Sequence, residues 1–240
     1  MRSFEEFNLK EMIEKREYQK SPEAWDEQIF YFLLIDRFAS EKDYPLYNEK
    51  KDYENALKTE AAKQKWLDSG ESWNGGTLKG IINKLDYLKE LGVSVLWISP
   101  TLKQPIYSEN YHGYGTQNFL EIEPHFGSKD DLKNLVDEAH KKGIYIILDV
   151  IINHTADVFL YDDEDPFYTG EEYPVKAFRD KDGKAVIDPE NPDYSNTWPE
   201  GGVWPQEIFN LATFSKKGYI RDWDSDPEFR EGDFFSLKNI

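Results

Sequence analysis

Residues 144–154 read IYIILDVIINH, an apolar run that ends in an acid, an amide and an imidazole. The run is nearly continuous in hydrophobicity and rich in β-branched side chains, a pattern typical of a parallel strand buried on both faces. Two similar runs precede it, IFYFLLI at residues 29–35 and VSVLWI at residues 93–98. The three runs predict three strands of one parallel sheet.

Amphipathic segments separate the three predicted strands. Leucine and isoleucine recur with helical spacing over residues 78–91, and a second helical pattern covers residues 132–139. Ser128, with Asp131 three residues later, predicts the N-cap of this second helix. The alternation of strands and helices predicts an α/β fold made of consecutive right-handed βαβ units. A further helix is expected over residues 53–67.

Composition limits the partners and the chemistry of the chain. The 240 residues carry a formal net charge of −18, which argues against nucleic acid and membrane partners because their phosphates would be repelled. The absence of cysteine excludes disulfides, thiolate metal sites and cysteine nucleophiles. The sequence shows no signal peptide and no run of the about 18 apolar residues that span a membrane. A soluble, cytoplasmic protein is therefore expected, with a secreted protein whose leader has been removed as the alternative.

Polar and aromatic residues follow each predicted strand. Asp36 follows the first run, His112 and Tyr114 lie in the loop after the second, and Asp149 and His154 follow the third. The carboxyl ends of parallel strands form the ligand-binding edge of such sheets, so we expect these groups to meet there. A flat aromatic face beside hydrogen-bonding groups suits a polyhydroxylated ligand with apolar faces, that is, a carbohydrate.

The chain changes character after the third run. Residues 155–235 hold 20 of the 47 acidic residues, 8 of the 29 basic residues and seven of the twelve prolines. A plain loop of this length is improbable inside a compact domain, so a small protruding subdomain with short strands is expected, one of them at residues 184–187. Its tryptophans are either sugar-stacking platforms or part of its own core, and the sequence leaves both open: Trp198, Trp204 and Trp223.

Five motifs together resemble the α-amylase superfamily, glycoside hydrolase family thirteen. In the order of that family they are DRF at residues 36–38, GGTLKGI at 75–81, HGY at 112–114, FGS at 126–128 and DVIINH at 149–154. The resemblance covers about residues 28–155, and the family inserts an irregular subdomain after its third strand. It implies a partial (β/α)8 TIM barrel, strands one to three, with such an insertion. The expected parts are an N-terminal helical segment (1–28), the first barrel part (29–154), the inserted subdomain (155–235) and a return to the barrel (236–240).

The resemblance implies a retaining glycoside hydrolase or glucanotransferase that acts on α-glucans or maltooligosaccharides. Retention requires two carboxyl groups about 5 Å apart, and in this family they are an Asp at the fourth strand and a Glu at the fifth. The nearest match to the nucleophile motif, GYIRD at residues 218–222, has the wrong spacing. Both catalytic groups are therefore expected beyond residue 240, with the rest of the barrel as a partner. The alternative is a non-catalytic glucan-binding or scaffold protein of the same superfamily.

The resemblance also implies roles for individual residues. Tyr114 is expected to stack on the glucosyl ring at the cleavage point, His154 to bond a hydroxyl of that ring, and His112 to be a further substrate contact. Asp149 is expected to hold the arginine of the fourth-strand motif. Asn153 matches the side-chain calcium ligand of the family, which leaves Ca²⁺ or no metal as alternatives. No organic cofactor is expected.

Overall fold

The structure, a computed structural model, describes residues 3–13, 18–41 and 58–240. The helices are α1 (Leu9–Ile13), α2 (Ile35–Phe38), α3 (Glu60–Asp68), α4 (Leu78–Asn83), α5 (Leu85–Glu90), α6 (Lys129–Lys141), α7 (Tyr194–Thr197) and α8 (Glu228–Glu231). The strands are β1 (Phe30–Leu33), β2 (Val95–Ile98), β3 (Leu102–Lys103), β4 (Asn118–Ile122), β5 (Tyr145–Leu148), β6 (His154–Thr155), β7 (Phe159–Tyr161), β8 (Val175–Arg179), β9 (Ala185–Ile187) and β10 (Lys238–Asn239). Of the helix expected over 53–67, residues 53–57 lie outside the described residues, and α3 follows them. Within the described ranges, no helix combines the length and the apolar character that crossing a bilayer requires.

The central sheet is parallel, as predicted. Its strand order is β1-β2-β5, and the register aligns Phe30 with Val95 and Val95 with Tyr145. Each strand is shorter than its apolar run, because hydrogen bonding between strands ends before the hydrophobic residues do. In the part of the chain that the structure describes, these strands form an open sheet and not a closed barrel.

Helices α4, α5 and α6 cover one face of this sheet. The segment predicted as one helix over 78–91 is divided at Lys84, whose N–H donates to the Ile81 carbonyl at 2.9 Å and so forms a tight turn. Helix α6 begins with the predicted cap: Ser128 and Asp131 exchange hydrogen bonds in a capping box. The buried core of this layer contains Leu33, Leu78, Ile81, Leu85, Leu88, Leu96, Ile98, Leu135 and Ala139.

The opposite face of the sheet is open to solvent. Phe30, Phe32 and Trp97 are 41–48% exposed, and Trp25 packs near this face, 5.9 Å from the Phe30 ring and 6.1 Å from the Tyr145 ring. The prediction that the strands are buried on both faces is therefore wrong for these side chains. The physical reason is that the helices α4–α6 pack on the other face.

Residues after β6 form a second packed unit. Strands β7, β8 and β9 make an antiparallel sheet, and β9 lies within the strand expected at 184–187. Trp204 is completely buried in the core of this unit, Trp198 packs against it at 4.9 Å, and Trp223 is 42% exposed. Trp204 is thus a core residue, and Trp223 is the most exposed of the three.

Two short strand pairs connect the carboxyl-end edge of the parallel sheet, where its strands finish, with the second unit. Strand β3 pairs with β4, and β4 continues toward Trp204, whose N–H donates to the Gln117 carbonyl at 2.9 Å. Strand β10 pairs antiparallel with β6, which places Asn239 opposite His154 and Lys238 opposite Thr155. The segment 236–240, expected to return to the barrel, thus lies against the residues that follow the third parallel strand.

Candidate functional site

The DRF and GG motifs tie the end of β1 to the start of α4. The Asp36 carboxylate is fully buried and accepts hydrogen bonds from the N–H groups of Asn74 and Gly75 at 2.9–3.0 Å. Arg37 Nε lies 3.2 Å from the same carboxylate. Burial raises the pKa of Asp36, while the two N–H donors and Arg37 act against the rise. Asp36 is therefore a structural group, with its oxygens engaged by neighbouring donors.

Tyr114 is held on a turn that requires glycine before it. Gly113 has a φ of +85°, and a Cβ there would lie 2.2 Å from the Pro100 carbonyl oxygen. The buried Gln104 holds both sides of the turn: Nε2 donates to the Gly113 carbonyl at 3.0 Å, and Oε1 accepts from the Gly115 N–H at 2.9 Å. Gln104 is not among the residues predicted from the sequence, because one glutamine after a strand carries no recognisable pattern.

The phenol of Tyr114 meets the acid that follows β5. Tyr114 Oη donates to Asp149 Oδ2 at 3.1 Å. Burial raises the pKa of Tyr114 and the Asp149 carboxylate raises it further, so the phenol keeps its proton and remains the donor. Asp149 was expected to hold the arginine of the fourth-strand motif. Among the described residues, its carboxylate accepts a hydrogen bond from Tyr114.

Both candidate histidines are bonded to the backbone of Tyr114. His112 Nδ1 accepts from the Tyr114 N–H at 3.0 Å, and the two rings stack with centroids 5.8 Å apart. His154 Nε2 lies 3.1 Å from the Tyr114 carbonyl oxygen and therefore carries the proton of the neutral ring. Burial lowers the pKa of both histidines, and Arg37 lowers that of His112 further, so both are neutral at pH 7. The structure thus brings His112, Tyr114, Asp149 and His154 together.

An aromatic cluster, Trp223, Phe234 and Phe235, adjoins these residues. The Phe234 ring lies nearly parallel to the His154 ring, with centroids 6.1 Å apart and an angle of 10°. Trp223 packs edge-on against Phe234 at 4.9 Å. All three aromatic side chains are at least 42% exposed. The sequence did not decide between the two roles of Trp223, and it did not predict Phe234 as a site residue. Both residues reach the site through the pairing of β6 with β10.

Asn153, the expected calcium ligand, is bonded through its side-chain amide to another asparagine. Its side-chain Nδ2 donates to Asn239 Oδ1 at 3.2 Å. The Asn239 amide is itself oriented, because its Nδ2 faces the carbonyl oxygens of Arg230 and Glu231 at 3.2 Å. Asn153 therefore presents a donor on this side, whereas Ca²⁺ takes about 6–8 oxygen ligands. Within residues 3–13, 18–41 and 58–240, no three His, Asp or Glu side chains form a group that could hold a metal ion.

The two neutral histidines predict that the chain loses stability on mild acidification. The folded state holds His112 and His154 below a pKa of 6.5, whereas unfolding returns them to about 6.5. Between the folded pKa values and 6.5 the unfolded state binds more protons than the folded state. The contribution of these two histidines to the free energy of unfolding is therefore fully present above pH 6.5 and is lost as the pH falls below it. Urea unfolding midpoints between about pH 7.5 and about pH 5 measure this slope.

The control for this pH experiment is the His112→Gln/His154→Gln double variant. It is expected to lose the histidine part of the slope, whereas the His140→Gln variant on α6 keeps it. The raised pKa of Asp36 has the opposite sign, because stability from that group is lost as the pH rises. That contribution is common to all variants and cancels in the difference. Equal slopes in the wild type and the double variant would contradict the prediction.

The fold and this edge define an α/β protein with aromatic, imidazole and carboxyl groups gathered at the ends of parallel strands. The family model described as alpha amylase, catalytic domain, matches residues 16–218. The chain belongs to the alpha-amylase catalytic-domain family, as the five motifs predict.

Three known proteins illustrate the similarity. The alpha-amylase of Streptomyces lividans is 37% identical over 164 residues, which are 65% of this chain and 18% of that enzyme. Alpha-amylase 2 of Dictyoglomus thermophilum is 40% identical over 131 residues, which are 55% of this chain and 19% of that enzyme. The crystal structure of CldA, a cyclomaltodextrin glucanotransferase, aligns with a TM-score of 0.55 and 28% identity over 89% of this chain and 38% of that one. The chain thus spans about a fifth of the length of the two amylases.

Proposed function

We propose that this chain supplies the substrate-binding part of an α-glucan-acting site of the α-amylase type. In this proposal residues 29–154 contribute strands one to three of a (β/α)8 barrel, residues 155–235 are the inserted subdomain, and residues 236–240 return to the barrel. The observation that carries the proposal is the convergence of His112, Asp149 and His154 on Tyr114. Because the family includes hydrolases and a glucanotransferase, the reaction is hydrolysis or transfer at an α-glucosidic bond.

Each residue has a distinct task toward a glucosyl ring. The Tyr114 ring offers a flat apolar face for the sugar, and its bond to Asp149 fixes the orientation of that face. His112 keeps Nε2–H as a donor for a sugar hydroxyl, because its Nδ1 is engaged by the Tyr114 N–H. His154 uses Nε2–H on the Tyr114 carbonyl, and its Nδ1 has a long contact of 3.4 Å with Asn153 Nδ2. In this proposal a sugar hydroxyl replaces that contact as the donor to Nδ1. Neutral imidazoles allow both contacts without charging the site.

The catalytic carboxylates, in this proposal, are not supplied by residues 1–240. Retaining chemistry requires a nucleophile and an acid/base group about 5 Å apart. The two acids that follow the parallel strands are already engaged: Asp36 accepts from Asn74 and Gly75, and Asp149 accepts from Tyr114. Neither is placed as a free nucleophile. The chain by itself is expected to bind α-glucans without cleaving them.

The Tyr114→Ala variant is expected to bind maltohexaose about tenfold more weakly than the wild type, because it loses the aromatic face. Isothermal titration calorimetry measures the affinity, and thermal unfolding checks that the variant is folded. Tyr114→Phe keeps the face and is expected to retain most of the affinity. Tyr87→Ala, which removes an exposed tyrosine from α5, is the matched control and should bind as the wild type does.

Two outcomes would contradict this function. If the wild type does not bind maltohexaose, or if the Tyr114→Ala variant binds it as tightly as the wild type does, then the Tyr114 ring does not bind the sugar. Hydrolysis of maltohexaose with retention by the 240-residue chain would show that the catalytic carboxylates are within it. Binding without turnover supports the proposed division of the site.

A further inference from the structure

Lys238 places an ammonium group in the interior of the protein. Its side chain has no exposed surface, and Nζ lies 3.0 Å from Asp157 Oδ1 and 3.4 Å from Asp233 Oδ2. Nζ also lies 4.8–5.1 Å from the centroids of three aromatic rings: Phe159, Tyr161 and Tyr219. Taking a lysine charge out of water is strongly unfavourable unless opposite charge and aromatic faces compensate for it. The surroundings of Lys238 provide both.

The two carboxylates around Lys238 also accept hydrogen bonds from other groups. Asp233 is buried, and it accepts from the Asn239 N–H at 3.0 Å and from the Tyr161 hydroxyl at 2.8 Å. Asp157 Oδ2 accepts from Arg179 at 2.8 Å. The two acids are therefore matched by two cations. A divalent ion added to this cluster would bring charge that no remaining carboxylate of the cluster balances.

The ammonium lies where the chain enters and leaves the inserted subdomain. Asp157 follows β6 on the way in, and Asp233 precedes β10 on the way out. Strand β10 carries Lys238 and pairs with β6, whose His154 belongs to the candidate site. Lys238 Nζ and Asp157 Oδ1 are at ion-pair distance, although neither atom has a hydrogen-bond partner of good geometry among the described residues. The attraction between them is thus ionic.

We propose that the Lys238 ammonium is the internal cation that holds strand β10, and through it the β6–β10 pair, against the inserted subdomain, and that this junction folds without a divalent metal ion. The resemblance to the amylase family suggested calcium at Asn153. In this chain the Asn153 amide bonds to Asn239, and the carboxylate that reaches Asn239 is paired with Lys238. The proposal rests on this junction and does not depend on the proposed glucan site.

The first test compares thermal unfolding of the chain in millimolar CaCl₂ and in excess EDTA. The unfolding midpoint is expected to be the same in both. Lys238→Met is expected to lower the midpoint by roughly 10 °C in both solutions, because it leaves Asp233 buried without its cation. Lys181→Met is the matched control: that ammonium is 64% exposed beside Asp182, and its loss is expected to leave the midpoint nearly unchanged.

The second test is the double variant Lys238→Met/Asp233→Asn, which removes both charges. It is expected to recover part of the lost midpoint, because no unpaired carboxylate remains in the interior. If the single variant fails to fold, recovery of folding in the double variant supports the proposal. A wild-type midpoint that rises with CaCl₂ would overturn it. So would a Lys238→Met midpoint equal to that of Lys181→Met, or a double variant no more stable than the single one.

Discussion

Gly76→Ala is expected to lower the free energy of unfolding by about 4 kcal/mol or more, or to prevent folding. A Cβ at Gly76 would lie 2.0 Å from the Ile35 carbonyl oxygen and 2.5 Å from the Asp36 carbonyl group. These atoms belong to the backbone, so no side chain can turn away to make room. The Gly76 N–H also donates to the Asp36 carbonyl at 2.9 Å. The end of β1 and the start of α4 would have to separate.

Gly70→Ala is the matched control for this substitution. A Cβ at Gly70 has no described atom within 4 Å, so the change is expected to stay within about 0.5 kcal/mol of the wild type. Urea unfolding followed by tryptophan fluorescence measures both variants. A Gly76→Ala variant with the stability of Gly70→Ala would show that the two segments do not approach as closely as the structure describes.

The sheet could be predicted from the sequence because its signal is local. Each parallel strand is an apolar run bounded by polar residues, and residues 30–33, 95–98 and 145–148 fall inside the three predicted runs. The break of the predicted long helix at Lys84 has no such local signal in the sequence. Helix α4 ends there through a backbone turn, in which the Lys84 N–H donates to the Ile81 carbonyl. The open face of the sheet was also missed, since an apolar run does not reveal which of its faces finds a partner.

The candidate site was predictable where its residues follow strands and not where distant segments meet. His112, Tyr114, Asp149 and His154 lie after parallel strands, so the topology brings them to one edge. Phe234 and Asn239 join the same edge from about eighty residues further along the chain, through the pairing of β6 with β10. That pairing rests on two residues in each strand. A pairing this short has no recognisable sequence pattern. It nevertheless brings Asn239 to the Asn153 side-chain amide, which bonds to it.

Gln104→Met is expected to cost about 3 kcal/mol of unfolding free energy and to weaken glucan binding. Methionine has nearly the same length, so the space stays filled and the loss comes from hydrogen bonds. Gln104 is buried, and its Nε2 donates to the carbonyl oxygens of Leu102 at 2.7 Å and Gly113 at 3.0 Å. In the Gln104→Met variant the buried backbone groups on both sides of the Tyr114 turn lose their partners. These groups are the Gly113 carbonyl and the Gly115 N–H, which donates to Gln104 Oε1 at 2.9 Å in the wild type.

The effect of Gln104→Met on binding follows from the position of this turn. Tyr114 lies between the two glycines that Gln104 holds, so loosening them lets the aromatic face move relative to Asp149 and His154. Gln28→Met is the matched control, because it removes a half-buried glutamine with one bond, from Nε2 to the Ala24 carbonyl at 3.1 Å. Urea unfolding and maltohexaose titration of both variants separate stability from positioning. If Gln104→Met is destabilised but binds as tightly as Gln28→Met, then the Tyr114 turn is held by its glycine geometry alone and Gln104 does not position it.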